Sequence, residues 1–158
     1  MPRETSAGVL VYRLGDDGPE FLLVHPGGPY WAKKDEAGWS IPKGVVAEGE
    51  GSWAAAQREF AEELGQPIIP ASGSQPNPLS PCPTPGGKLI LAWLVEADLD
   101  LTALRSNEFE IEWPPRSGRR VSFPEVDRAA YFDSATALWK VHKGQRPIVA
   151  EAAARLKT

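Results

Sequence analysis

The sequence predicts an α/β fold in which a mixed β-sheet is sandwiched between α-helices. Three observations carry that expectation. Strand-like and helix-like segments are interleaved without regular βα alternation, which argues against a doubly wound parallel sheet. The length, 158 residues, fits one domain over 1–158 on a prior of roughly 100–200 residues per domain. Hydrophobic residues make up 42% and charged residues 24%, enough apolar side chain for a core without staples.

Taken in order, segments 7–13 and 20–25 are apolar, β-branched or aromatic, and the turn residues Gly15, Asp16, Asp17, Gly18 and Pro19 join them as a hairpin. Residues 26–38 read as a loop rich in Gly, Pro and aromatics, followed by a short strand over 39–41 that stops at Pro42, Lys43 and Gly44. The clearest helix covers 52–64: Ser52 is its expected N-cap, and Gly65 then Pro67 close it. Trp53, Ala56, Phe60 and Leu64 form its apolar stripe. Residues 67–85 hold seven prolines and no periodicity, the mark of a surface excursion. A buried strand is expected over 88–97, with Leu89, Leu91, Trp93 and Val95 on one side. Residues 108–113 alternate polar and apolar, 129–132 read as a short strand, and 134–139 and 147–156 as helices.

Formal net charge is −4, and no basic footprint for a nucleic-acid polymer is visible; Arg116, Arg119 and Arg120 read as loop residues. The longest apolar run, residues 89–95, is far short of the ~20 needed to cross a bilayer, so no membrane partner is expected. The N-terminus lacks the basic-then-apolar signal-peptide pattern, and the single cysteine, Cys82, has no partner for an internal disulfide; both point to the cytosol. Oligomeric state is not encoded legibly. Acidic balance still permits a small phosphorylated ligand, because a bound divalent cation inverts the local charge.

The chemistry concentrates in the glutamates. On a helix, Glu59 and Glu63 lie about 40° apart and Glu62 about 60° to the other side, so all three share one face. Three like charges on one turn repel, and they sit in the C-terminal half, where the helix dipole disfavours anions. A sequence that accepts both penalties calls for a counter-charge, and hard oxygen donors suit Mg²⁺ or Mn²⁺. The bland alternative is a solvated acidic face with Arg58 and Glu62 as an ordinary i,i+4 pair.

Surrounding residues change that balance. Gly44, five residues, Glu50, seven residues, then Arg58-Glu59-Phe60-Ala61-Glu62-Glu63-Leu64-Gly65 resembles the signature of the Nudix hydrolases at every fixed position. The last position of that signature, a bulky apolar residue, is Gln66 here, a departure expected to weaken one packing contact. The resemblance implies a Nudix fold and metal-dependent hydrolysis of a nucleoside diphosphate linked to another moiety. It implies Glu59 and Glu63 as main Mg²⁺ (or Mn²⁺) ligands, Glu62 as a further ligand or water-orienting group, and the Gly44 carbonyl as a close neighbour of the metal. Arg58 would hold a glutamate through a bidentate pair, and Glu50 would brace the turn into the helix.

Segments 7–13, 20–23, 39–44 and 123–132 further resemble the diadenosine tetraphosphate hydrolase branch. That likeness implies Lys43 as a phosphate anchor and Glu125 as a fourth metal ligand or general base, with Glu112 and Glu110 as rivals. Two features depart from it, the 31–38 loop with its lysine pair and segment 108–118; both resemble a bacterial Nudix subgroup of predicted NTP pyrophosphohydrolases. Tyr30, Trp31, Trp39 and Trp113 are candidates to stack on a base, each against a core reading. His25 and His142 read as structural, and Cys82 as inert. The expected activity is hydrolysis of a nucleotide-linked diphosphate, including diadenosine polyphosphates. The alternatives are (deoxy)nucleoside triphosphates, a nucleotide sugar, or a sensing module that binds nucleotide without turnover.

Overall fold

One strand with two apolar faces organises the architecture. The computed structural model describes residues 4–157. Thr5–Gly15 (β1) turns back into Gly18–Pro26 (β2), with Tyr12 opposite Phe21 and Gly15 opposite Gly18. After the expected loop come Lys43–Val45 (β3) and the helix Ser52–Leu64 (α1). The proline-rich excursion carries two short strands, Asn77–Pro78 (β4) and Cys82–Pro83 (β5), before Leu89–Glu96 (β6). Glu108–Glu112 (β7) and Arg120–Pro124 (β8) precede Val126–Asp133 (β9), Ser134–Lys140 (α2) and Arg146–Leu156 (α3).

The main sheet has the order β4-β6-β1-β2-β9, with β3 alongside β1 and β5 alongside β6. It is mixed: β1 runs parallel to β6 and antiparallel to β2 and β3. Ala7, Val9 and Val11 point to one face, where they meet Ala55, Ala56, Phe60 and Leu64 of α1. Leu10 points to the other, where Phe21, Leu23, Ile148 and Ala152 form the second core beneath α2 and α3. The sheet is therefore sandwiched between helices, as the sequence predicts. Alternation along β6 serves both layers: Ile90, Ala92 and Leu94 join the α3 side, and Trp93 and Val95 the α1 side. Trp93 and Val95 thus share a side as expected, and the strand is buried on both faces.

Other expectations shift for local reasons. In place of the strand expected over 39–41, Ser40 bridges Val24 and Trp39 bridges Val141, because the segment threads between β2 and the end of α2; the paired strand is β3. Gly51, not Ser52, is the N-cap of α1, and no side chain caps it. Arg120 lies in β8 rather than in a loop, held across the strand pair by its 2.9 Å contact with Glu110. β7 and β8 pair only with each other, as a separate two-stranded sheet. Gln66, in the apolar position of the signature, donates its side-chain amide to the Asp100 carbonyl at 3.2 Å, a polar contact in place of a packing one.

Gly65 closes α1 in the left-handed region (φ 72°), and its N–H donates to the Ala61 carbonyl. A Cβ there would run into the Arg105 carbonyl. Gly65→Ala is expected to lower stability by about 1–3 kcal/mol, read as a lower urea midpoint with an unchanged slope.

Candidate active site

The site grows from the C-terminal half of α1. Burial of Phe60 and Leu64 against the sheet turns Glu59, Glu62 and Glu63 toward β3 and the β8–β9 turn. Arg58 sits among them as a fork. Its Nε and Nη2 donate to the two oxygens of Glu50 at 2.9 and 3.0 Å, Nη1 reaches Glu59 at 2.8 Å and Glu62 at 3.3 Å, and Nη2 also meets the Val45 carbonyl at 3.0 Å. Glu50 accepts in addition from the Ala47 N–H at 2.9 Å. With Arg58 foremost and this N–H second, the Glu50 carboxyl is held down at about 2. Gly44 lies directly against the Glu59 carboxylate, and a Cβ there would occupy the same space.

A run of backbone hydrogen bonds fixes Glu125 relative to the helix. Asn107 N–H donates to the Glu62 carbonyl at 2.8 Å, Glu125 N–H to the Asn107 carbonyl at 2.8 Å, and Gly27 N–H to the Glu125 carbonyl at 2.9 Å. Burial, then the charges of Glu59 and Glu62, push the Glu125 carboxyl up. Glu63 is pushed further, to about 8, first by burial and then by Glu59, although Lys43 opposes this through its charge and its backbone N–H. These carboxylates feel one another. Glu112 and Glu110 do not take part: Glu112 accepts from the Arg116 N–H at 2.7 Å and Glu110 pairs with Arg120.

Glu63, Glu125 and Lys43 line a cavity of about 270 Å³ together with Trp31, Ser40 and His142. Two recesses open from it. One, about 220 Å³, shares Lys43 and His142 and adds Thr84 and Lys88. The other, about 420 Å³, shares Trp31 and Glu125 and adds Gly28, Tyr30 and Phe109. Tyr30 is 64% exposed there. Trp39, by contrast, is 4% exposed, its ring edge-packed between His25 and Phe132 and its Nε1 donating to Asp35, so it offers no face to a base. The stacking expectation for Trp39 is corrected by that packing. His25 is fully buried, with Nδ1 at 2.9 Å from Asp127 and Nε2 at 2.7 Å from the Lys34 carbonyl. His142 Nδ1 meets the Ala37 carbonyl at 2.9 Å, and burial foremost pulls its pKa down. Sequence reasoning missed Phe109, Thr84 and Lys88. The Gly27–Gly28 pair after β2 was a signal for close backbone approach.

A divalent cation fits the donor set on two grounds. Glu59, Glu62, Glu63 and Glu125 offer only hard oxygens, and Gly44 leaves the space beside Glu59 that a side chain would fill. Among the described residues no three acidic, imidazole or thiol groups already stand as a metal cage. Glu59 and Glu62 are turned to Arg58 instead, so holding a cation requires them to swing from the guanidinium.

The family model for the NUDIX domain matches residues 2–152. The chain belongs to the NUDIX family. Solved structures share the fold at low identity. C. elegans Ap4A hydrolase in a binary complex superposes with a TM-score of 0.64 at 20% identity, covering 96% of this chain and 97% of that one. The NUDIX domain of Shewanella oneidensis NrtR, complexed with ADP ribose, gives 0.66 at 15%, covering 99% and 90%. A mutT/nudix family protein from Listeria innocua gives 0.62 at 17%, covering 98% and 94%. No curated protein matches the sequence significantly. Among the described residues no helix is long and apolar enough to cross a membrane.

In the metal-free protein the folded state holds the Glu63 proton more tightly than the unfolded chain, whose carboxyl titrates near 4.5. The stability from this group is full below about pH 4.5 and is lost as the pH rises through about 8. Metal-free protein is expected to melt a few degrees lower at about pH 8 than at about pH 6. Glu63→Gln should flatten that difference in a calorimetric pH series.

Proposed function

We propose that this chain hydrolyses a diphosphate bond in a nucleotide-linked substrate, dinucleoside polyphosphates foremost, with Mg²⁺ or Mn²⁺ as cofactor. The observation that carries the reading is a cavity lined by two carboxylates and a cation, Glu63 and Glu125 with Lys43, and with Lys88 in the adjoining recess. A phosphate chain alone would be repelled by the carboxylates and held by the lysines; with a divalent cation both attract it.

Glu59, Glu62, Glu63 and Glu125 would hold the cation beside the Gly44 carbonyl. When bound, it would neutralise the diphosphate and acidify water. Lys43 donates to a phosphate oxygen and fixes the bond to be broken over the carboxylates. Arg58 keeps Glu59 and Glu62 beside Glu50 until the cation draws them from the guanidinium. A carboxylate of the Glu63–Glu125 pair takes the proton of the attacking water as its oxygen bonds to phosphorus and the bridging P–O bond breaks. Two phosphorylated products then leave, one of them a nucleotide. The family membership supports hydrolase chemistry of this kind, and the likeness to a fold complexed with ADP ribose supports a nucleotide ligand.

The test is a panel of dinucleoside polyphosphates, nucleoside triphosphates and nucleotide sugars incubated with Mg²⁺, with products identified by mass. Turnover is expected to stop on chelation; a protein that binds every nucleotide and returns it intact is a sensor instead. Glu63→Gln is expected to lower kcat by about 10²–10⁴-fold with the circular-dichroism spectrum unchanged. Lys43→Ala should lower kcat/KM by roughly 10- to 100-fold, the loss of one charge-assisted hydrogen bond.

A further inference from the structure

His25 is fully buried, and the hydrolysis described above makes no use of it. Its ring is nevertheless engaged at both ends, Nδ1 at 2.9 Å from the Asp127 carboxylate and Nε2 at 2.7 Å from the Lys34 carbonyl. Both partners are acceptors that an apolar ring of the same size could not serve. A side chain kept polar at such depth points to a role beyond filling space.

That role shows in how β2 pairs with β9. From Glu20–Asp133 to His25–Arg128 the two strands step together, one residue for one. The next pair is Pro26–Val126, so β9 passes two residues where β2 passes one, and Asp127 is the extra residue of a β-bulge. Side-chain direction agrees. Ala129 and Tyr131 lie on the α1 side of the sheet and Ala130 and Phe132 on the other, so unbroken alternation would send Asp127 to the α1 side and Val126 away from it. The reverse is found. Val126 is buried in the α1-side core, and Asp127 meets His25, which packs edge-on against Trp39 of the opposite core.

Glu125 is the residue next to Val126. Its carbonyl accepts from the Gly27 N–H, and the Val126 N–H donates to Ser106 Oγ at 2.9 Å. The seat of Val126 therefore decides where Glu125 begins. Bulges beside functional sites re-aim side chains in this way.

We infer that the His25–Asp127 contact positions Glu125: it holds the bulge that seats Val126, and so fixes how the Glu125 carboxylate enters the cavity it lines with Glu63. Neither His25 nor Asp127 lines that cavity, so both act through Glu125. The inference rests on the metal-dependent reading given above, in which Glu125 joins the helix glutamates in holding the cation.

A double-mutant cycle decides it, read by calorimetric titration of Mn²⁺ into the intact, metal-free protein. Asp127→Ala, at a side chain one-third exposed, is expected to weaken Mn²⁺ binding about 10- to 100-fold, the range for groups that orient a metal ligand, with the circular-dichroism spectrum unchanged. In a Glu125→Gln background the same substitution should cost less than about twofold more. A loss that came only from removing a negative charge near the cation, or from a general loosening of the fold, would add in full to that of Glu125→Gln. Such additivity overturns the inference, as does wild-type affinity in Asp127→Ala, and both leave the metal-dependent reading standing. Should Asp127→Ala not fold, Asp127→Asn keeps the shape and is expected to lose at least about threefold under the same cycle. A wild-type protein that takes up no Mn²⁺, alone or with a non-hydrolysable dinucleoside polyphosphate, overturns the metal-dependent reading and this inference with it.

Discussion

Everything at the carboxylate end of this protein depends on how one guanidinium is divided. Arg58 reaches Glu50, Glu59, Glu62 and the Val45 carbonyl, which spans the turn before α1, the helix itself and β3. Paired charges of this kind at a partly exposed site add little to net stability. What the fork supplies is position. It gives two of the three clustered helix glutamates a partner, while Glu63 meets the Lys43 backbone N–H instead. Glu63 is accordingly the carboxyl whose burial and neighbours drive it furthest from its ordinary value.

The sheet converts that local arrangement into a site. β1 presents alternate residues to α1 and to the α2–α3 layer, so α1 has one packing solution, with Phe60 and Leu64 inward. The end of α1 then meets residues 105–107 through its own orphan carbonyls: Leu64 accepts from Arg105 and Glu62 from Asn107. The groups that satisfy the helix terminus thereby carry Glu125 to the glutamates. Fold and site share the same hydrogen bonds.

How much of this was legible in the sequence follows from how local each signal is. The β1–β2 hairpin, α1 with its Gly65 stop and the β6 run are written in turn chemistry and periodicity, and they stand nearly where expected. The glutamate face was legible because helical geometry alone puts Glu59, Glu62 and Glu63 together. β4 and β5 were not, since two-residue strands among prolines exist only through β6 beside them. Trp39 misled for a related reason. An aromatic residue next to a motif reads the same whether its ring is free or enclosed, and only the packing of His25 and Phe132 decides. Phe109 gave no signal of its own, because its partner is the Gly28 backbone 81 positions away.

His25 has one more consequence. Its buried ring touches Asp127 on β9 and the Lys34 carbonyl in the loop after β2, bolting that loop to the main sheet. The β7–β8 hairpin pairs as a sheet only with itself and is tied on at its base, where Asn107 N–H donates to the Glu62 carbonyl and Gly27 N–H to the Glu125 carbonyl. One wall of the aromatic recess is therefore held by a buried side chain and the other by backbone at the foot of a hairpin. Such a design lets the side chains along the hairpin be exchanged while the carboxylates on α1 keep their positions.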